Sequence, residues 1–170
     1  ALPILVGKGT KRSGEFLKLD KVYEAEICLG ATSTTGDPEG EITETLTAQA
    51  ARGLASSSGA GAPGLARRKT EVEEVLGRFA GEVQQTPPAY SAIKINGQRA
   101  YKLARRGEEV VMPTRTVTIY SIELVAYDYP SLTIRAHVSS GTYIRTLAED
   151  IGTVLGTVAY CRQLRRTKVG

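Results

Sequence analysis

Histidine and cysteine are scarce in this 170-residue sequence, which holds one histidine, His137, and two distant cysteines, Cys28 and Cys161. With no C-x-x-C and no H-E-x-x-H, a Cys/His zinc site cannot be assembled, and two cysteines make no disulfide framework. Long apolar runs are missing too. The longest is Ala1 to Val6, broken by Pro3, against the ~20 residues a membrane helix requires. No membrane span is therefore expected, and without a signal-peptide pattern at the start the expected compartment is the cytoplasm. G-x-x-x-x-G-K-[ST] and G-x-G-x-x-G are also absent, and Gly7-Lys8-Gly9-Thr10-Lys11 lacks the Walker order. Nucleoside-triphosphate binding is accordingly not expected.

What is present is an ordinary globular composition, 41% hydrophobic and 24% charged, in a length that fits one domain or part of one. A chain of about 150 residues buries roughly 68–70% of its unfolded surface, so neither disulfides nor metals are needed as staples. The net charge of +4 is less informative than its distribution. Residues 1–21 carry five basic and two acidic groups, and residues 91–115 carry six and two. Residues 161–170 carry Arg162, Arg165, Arg166 and Lys168 against no acid, whereas Val22 to Ala50 has six acids and no Lys or Arg. Such blocks suggest one face turned towards a polyanion and another that is merely solvated. The alternative is that the charges only solubilise the surface.

Apolar periodicity predicts strands at Leu2–Val6 (buried), Lys21–Leu29 and Ala89–Ile95, a strand pair at Arg115–Tyr127 and Leu132–Val138, and a closing strand at Thr157–Thr167. Asp37-Pro38-Glu39-Gly40 reads as a turn, with Glu41–Thr45 as the returning strand of a hairpin, and Asn96-Gly97 as a tight turn. Helices are expected at Gly14–Leu19, from Thr70 as N-cap to near Gly81, at Arg99–Arg106 before Gly107, and from Thr142 as cap through Ile151. Around residues 47–68 the Ala, Ser and Gly content removes any periodic apolar face and indicates a flexible insertion. The order of elements lacks βαβ regularity. The expected class is mixed α+β, with a largely antiparallel sheet flanked by helices.

Residue types alone offer little chemistry. No Ser/His/Asp or Cys/His set can be defended, His137 in an alternating strand reads as structural, and the paired acids Glu73-Glu74 and Glu149-Asp150 fit solvated helix faces. Two segments stand out. In the first, Lys94, Arg99, Lys102, Arg105 and Arg106 would neutralise phosphates, while Tyr90 and Tyr101 offer stacking faces; Tyr101 could equally be a core residue of its helix. In the second, Arg145 falls in the first turn of a helix, where the dipole disfavours a cation and an anion is needed nearby. That anion is either Glu149, four residues on, or a carboxylate from elsewhere in the fold held by a charge-assisted contact.

Five stretches taken together resemble the TruB family of tRNA pseudouridine-55 synthases: Leu2-Pro3-Ile4-Leu5-Val6-Gly7-Lys8-Gly9-Thr10-Lys11; Lys21-Val22-Tyr23; Thr86-Pro87-Pro88-Ala89-Tyr90-Ser91-Ala92-Ile93-Lys94; Gly97-Gln98-Arg99-Ala100-Tyr101; and Gly141-Thr142-Tyr143-Ile144-Arg145. The resemblance implies the pseudouridine synthase fold and isomerisation of a uridine in the T-arm of tRNA, position 55, without metal or organic cofactor. It implies a soluble monomer whose partner is tRNA. In that family an Asp in a G-x-L-D-P-x-A-x-G motif attacks the target nucleotide, which must first leave its stack and enter a pocket. Carried onto this sequence, Tyr23 stacks on the flipped base, Tyr143 contacts substrate, Arg145 pairs with the nucleophilic Asp and Leu164 lines the pocket. For Tyr23 and Leu164, ordinary packing roles are the alternatives. The Asp motif would lie just ahead of Ala1, and Asp20, Asp37, Asp128 and Asp150 have no Leu-Asp-Pro setting. The expectation is therefore that residues 1–170 form a partial catalytic domain, lacking the nucleophile and the family's C-terminal RNA-binding extension and inactive alone. The competing expectation is a non-catalytic module that binds structured RNA or chaperones tRNA folding.

Overall fold

The computed structural model describes residues 4–45, 68–95, 97–108 and 110–170. In chain order, a 3-10 turn at Gly7–Arg12 and α1 (Ser13–Leu17) lead into β1 (Lys21–Leu29), followed by the short strands β2 (Ala31–Ser33) and β3 (Ile42–Glu44). Next come α2 (Lys69–Gly77), β4 (Gly81–Gln85), the two-residue strands β5 (Lys94–Ile95) and β6 (Gln98–Arg99), and α3 (Ala100–Ala104). The chain closes with β7 (Arg115–Asp128), β8 (Ser131–Val138), α4 (Ile144–Val154) and β9 (Ala159–Val169). Five strands form one sheet in the order β4-β7-β8-β1-β9, every pairing antiparallel.

Alternation decides which face is covered. Along β8, Leu132, Ile134, Ala136 and Val138 are buried while Arg135 points to solvent, and on β1 Ala25, Ile27 and Leu29 share the buried face. On α4 the spacing Ile144, Leu147, Ala148, Ile151 makes one apolar stripe, which packs with those strand residues into a single core. Helix α2 adds Val72 and Leu76 to the same core. Each fully buried Leu or Ile is worth roughly 1.5–3 kcal/mol, so this layer holds α4, and with it Arg145, against the sheet. The helix and the last strand approach closely at Gly152, where a Cβ would lie 2.6 Å from that of Ala159.

Several expectations are corrected. Ile4–Val6 form no strand, and Ile4 and Val6 are 86% and 79% exposed, because no neighbouring strand among the described residues receives them. Of Ala89–Ile95 only Lys94–Ile95 is a strand. Ser91 and Ile93 instead turn their carbonyls to the N–H groups of Tyr101 and Ala100, so the segment folds back on α3. Helix α2 starts at Lys69 and ends at Gly77, and its N-cap is Arg68, not Thr70. Thr142 does not cap α4, since its hydroxyl donates to the Ser139 carbonyl and Tyr143 occupies the cap position. The returning strand β3 pairs with β2. The insertion expected at 47–68 lies, but for Arg68, outside the described residues, as does Asn96; Gly97 has the positive φ of +82° that a two-residue connection from β5 to β6 demands. No helix among the described residues is long and apolar enough to cross a membrane.

Candidate functional site

Strands β1 and β9 and the start of α4 converge on a cavity of about 330 Å³. It is lined by Tyr23, Lys21, Tyr143, Arg145, Leu164 and Arg166 among others, so residues from distant parts of the sequence share one wall. Tyr23 lies in phase with Ala25 and Ile27 on the helix-covered face. An irregularity in the β1–β9 ladder between Val22 and Tyr23 sets Arg166 opposite Tyr23. The Arg166 Nε then donates to the Tyr23 hydroxyl at 3.1 Å, with its guanidinium 5.3 Å from the ring centroid. Leu164 is 48% exposed at the rim, which removes the core-packing alternative for it.

Arg145 separates this cavity from a larger one of about 590 Å³, whose wall includes Asp37, Tyr90, Ser91, Tyr101 and Arg105. Its Nη1 donates to the Asp37 Oδ2 at 2.5 Å and to the Thr35 carbonyl at 3.2 Å. The anion required by a cation in the first helical turn is thus supplied across the fold, by Asp37, and not by Glu149, which forms no ion pair with Arg145. Asp37 is itself fixed, because its Oδ1 accepts from the Thr35 hydroxyl at 2.6 Å and the Glu39 N–H at 3.1 Å. The loop that carries it is seated by Gly36. With φ of +74°, and a Cβ that would meet Glu149 Oε1 at 2.8 Å, this position tolerates only glycine without strain. The Gly36 carbonyl accepts from the Cys161 N–H of β9 at 3.0 Å, closing the loop against the sheet.

Lys21, although 9% exposed, ends at the carbonyls of Leu17 and Leu19, where it satisfies the C-terminus of α1. Burial, and next the charge of Arg166, lower its pKa from the ordinary lysine value, with Asp20 opposing.

The other basic residues are placed differently. Arg105 reaches the larger cavity with its guanidinium 5.6 Å from the Tyr101 ring centroid. Lys94, Arg99, Lys102 and Arg106 are exposed on the β5–α3 segment; Arg99 donates to the Ala92 carbonyl and Arg106 pairs with Glu108 at 3.8 Å. Arg162 is half-buried and engaged, with Nη1 on Glu26 at 3.1 Å and Nη2 on the Cys28 sulfur at 2.9 Å, which sets it apart from the exposed cations. His137 meets Asp20 at 3.1 Å and packs on Tyr120. Sequence reasoning missed Asp37 as the partner of Arg145. The available signal was a D-P-E-G turn within the stretch that carries six acids and no base.

Comparison with known proteins gives this geometry a family. The model of the TruB family pseudouridylate synthase (N terminal domain) matches residues 1–144. The tRNA pseudouridine synthase B of Burkholderia lata is 43% identical over 169 residues, covering 99% of this chain and 47% of that protein. The enzymes of the same name from Dechloromonas aromatica and Ectopseudomonas mendocina are 43% and 44% identical, with 51% and 50% of their lengths covered. The chain thus spans about half the length of the curated relatives it matches. Among solved structures, a Cbf5-Nop10-Gar1 complex has a chain that superposes with a TM-score of 0.62 at 25% identity, over 97% of this chain and 35% of that one. An H/ACA RNP bound to a substrate RNA containing 2'-deoxyuridine gives 0.58 at 21% identity, over 97% of this chain and 33% of that one. With 144 of its 170 residues matched by the family model and nearly its whole length by these relatives, the chain belongs to the TruB family of pseudouridylate synthases.

Proposed function

We propose that the full-length protein bearing this chain isomerises a uridine in the T-arm of tRNA, position 55, to pseudouridine. The observation that carries this is the convergence of Tyr23, Tyr143, Arg145 and Leu164 on one cavity of about 330 Å³, at the lower end of the size range of small-ligand pockets. Tyr23 supplies a flat face for a flipped base, and Leu164 an apolar rim. Arg145 presents a fixed guanidinium to the carboxylate that attacks the nucleotide. In the family that carboxylate belongs to a Leu-Asp-Pro motif, which none of these 170 residues contains; activity is accordingly assigned to the full-length protein. Arg145 would keep the nucleophilic carboxylate ionised and aimed by favouring its charged form. The protein acts as a monomer without a cofactor, in the cytoplasm, and the exposed cations of residues 94–106 hold the RNA backbone without reading sequence.

The test is conversion of an unmodified tRNA transcript by the full-length protein, with pseudouridine mapped by carbodiimide modification and primer extension. Modification at position 55 is expected, and Arg145→Ala should lower turnover far more than tRNA affinity. RNA binding without pseudouridine would instead favour a structured-RNA binding module, and equal losses of rate and affinity would make Arg145 a phosphate contact.

A further inference from the structure

Tyr143 is gripped from two sides by residues outside the cavity wall. Gln85, the last residue of β4, is 1% exposed, and its side-chain amide spans the backbone of Tyr143 in both directions. Nε2 donates to the Tyr143 carbonyl at 3.2 Å, and Oε1 accepts from the Tyr143 N–H at 3.0 Å. Tyr143 is the N-cap residue of α4 with extended backbone, φ −101° and ψ 109°, and makes no side-chain cap hydrogen bond, so the amide bridge holds the backbone of the residue from which the helix starts. Directly opposite Gln85 in the β4–β7 ladder stands Arg115. Its guanidinium lies 5.4 Å from the Tyr143 ring centroid.

Arg115 passes close to Gly141. A Cβ there would come within 3.2 Å of the Arg115 Nη1, and the φ of +87° is one that glycine alone adopts freely. Side-chain bonds stitch the same end of the ladder on both flanks, Gln84 to Thr116 at 2.7 Å and Thr86 to Thr114 at 3.0 Å. Among the described residues no carboxylate is ion-paired to Arg115, whose guanidinium is set over the ring. A buried amide with both hydrogen-bonding atoms engaged on one backbone unit, and a cation set over the same residue's ring, together restrain both the backbone and the ring of Tyr143.

We propose that Gln85 and Arg115, facing each other across β4 and β7, are positioning residues that fix Tyr143 at the mouth of the cavity, the first through its backbone and the second through its ring. Loosening either lets the ring leave the orientation in which it meets the target nucleoside, at a cost in the chemical step and little cost in tRNA docking. The kinetic part rests on the proposed pseudouridine synthase activity, whereas the geometric part does not.

Two measurements on the full-length protein test it. In single-turnover assays, Arg115→Met and Gln85→Met should each slow pseudouridine formation by about three- to tenfold, the range a partly exposed cation–π contact or one hydrogen-bond pair supports, with tRNA Kd changed less than about twofold. Arg115→Lys, which keeps a cation over the ring, should recover most of the loss, and in a Tyr143→Leu background Arg115→Met should cost almost nothing more. In parallel, the protein labelled with 3-fluorotyrosine gives a fluorine resonance for Tyr143, assigned by its absence in Tyr143→Phe. That resonance should shift and broaden in Arg115→Met and Gln85→Met and stay near its parent position in Arg115→Lys. Undiminished rate losses in the Tyr143→Leu background, or a Tyr143 resonance that neither substitution moves, would overturn the proposal. A parent protein that forms no pseudouridine would sink the functional assignment alone, with the fluorine spectra then deciding the positioning.

Discussion

Asp37→Asn isolates the charge that holds Arg145. The substitution preserves size and leaves an amide oxygen for the Thr35 hydroxyl and the Glu39 N–H, which now meet Oδ1 at 2.6 and 3.1 Å. It removes the charge at Oδ2, 2.5 Å from the Arg145 Nη1. The side chains of Arg145 and Asp37 are 26% and 22% exposed, too buried for water to replace the missing acceptor fully and too exposed for the full cost of an unpaired buried ion. A hydrogen bond between charged groups contributes about 1.5–3 kcal/mol. The Thr35 carbonyl, at 3.2 Å on the same nitrogen, retains part of the restraint, and the helix dipole works against the cation by about 0.3–1 kcal/mol. A net loss of about 2 kcal/mol in holding the guanidinium corresponds, at about 1.4 kcal/mol per decade, to a fall of roughly 10- to 100-fold in the single-turnover rate. The assay is pseudouridine formation with enzyme in excess, beside tRNA affinity by filter binding, and Kd should move less than about threefold. In an Arg145→Ala background, Asp37→Asn should add little, because the pair acts as a unit. An Asn variant with more than half the parent rate, or a loss that is fully additive with Arg145→Ala, would refute the reasoning.

Three further outcomes are expected. Gly152→Ala pushes a methyl to 2.6 Å from the Ala159 Cβ and 2.9 Å from its backbone nitrogen; such overpacking costs about 1–3 kcal/mol, to be read as a Tm lowered by several degrees, and an unchanged Tm would mean that α4 slides freely on β9. Burial pushes the Cys161 thiol up to about 11, with Arg145 lowering it and Asp37 raising it. Its folded pKa therefore exceeds the unfolded value of about 8.5, so its contribution to stability is intact below that pH and declines as pH rises towards the folded value. Urea midpoints should fall more steeply over that window in the parent than in Cys161→Ala, and parallel curves would contradict the shift. Replacing Arg99, Lys102 and Arg106 together by Gln should raise the tRNA Kd and shallow its logarithmic salt dependence by about 0.7–0.9 for each phosphate no longer neutralised; an unaltered slope would place the RNA elsewhere.

Where local periodicity and burial agree, the sequence alone was a sufficient guide. β1, β7, β8 and α4 were legible because each has an apolar face at period two or 3.6 that ends up covered. Within the expected strand Leu2–Val6, the described part Ile4–Val6 misled for the same reason, since an apolar run reports what could be buried and not whether a neighbour among the described residues buries it. Ala89–Ile95 misled because its carbonyls turn to α3, a pairing no pattern encodes. At the site, Tyr23, Tyr143, Arg145 and Leu164 came from resemblance, and the first-turn placement of Arg145 independently demanded an anion. That the anion is Asp37, 108 residues away, depends on Gly36 seating a loop between α4 and β9. A long-range approach of this kind leaves only a glycine and a turn in the sequence.

The two groups of residues assigned to RNA in the proposed function differ in how they are held, and the difference fits separate roles. The cavity residues Tyr23, Tyr143 and Arg145 stand on strands and a helix anchored by a common core, each with a second contact that fixes its direction: Arg166 for Tyr23, Asp37 for Arg145, and Gln85 with Arg115 for Tyr143. The cations Lys94, Arg99, Lys102 and Arg106 stand on or beside two-residue strands and a five-residue helix, exposed and at most lightly paired. Chemistry at a single glycosidic bond requires side chains held to within about half an ångström, whereas neutralising a flexible phosphate chain requires only charge at the right density. Under the proposed function, rigid support is concentrated where an error of an ångström would cost rate, and adaptable cations stand where a flexible partner would have to be accommodated.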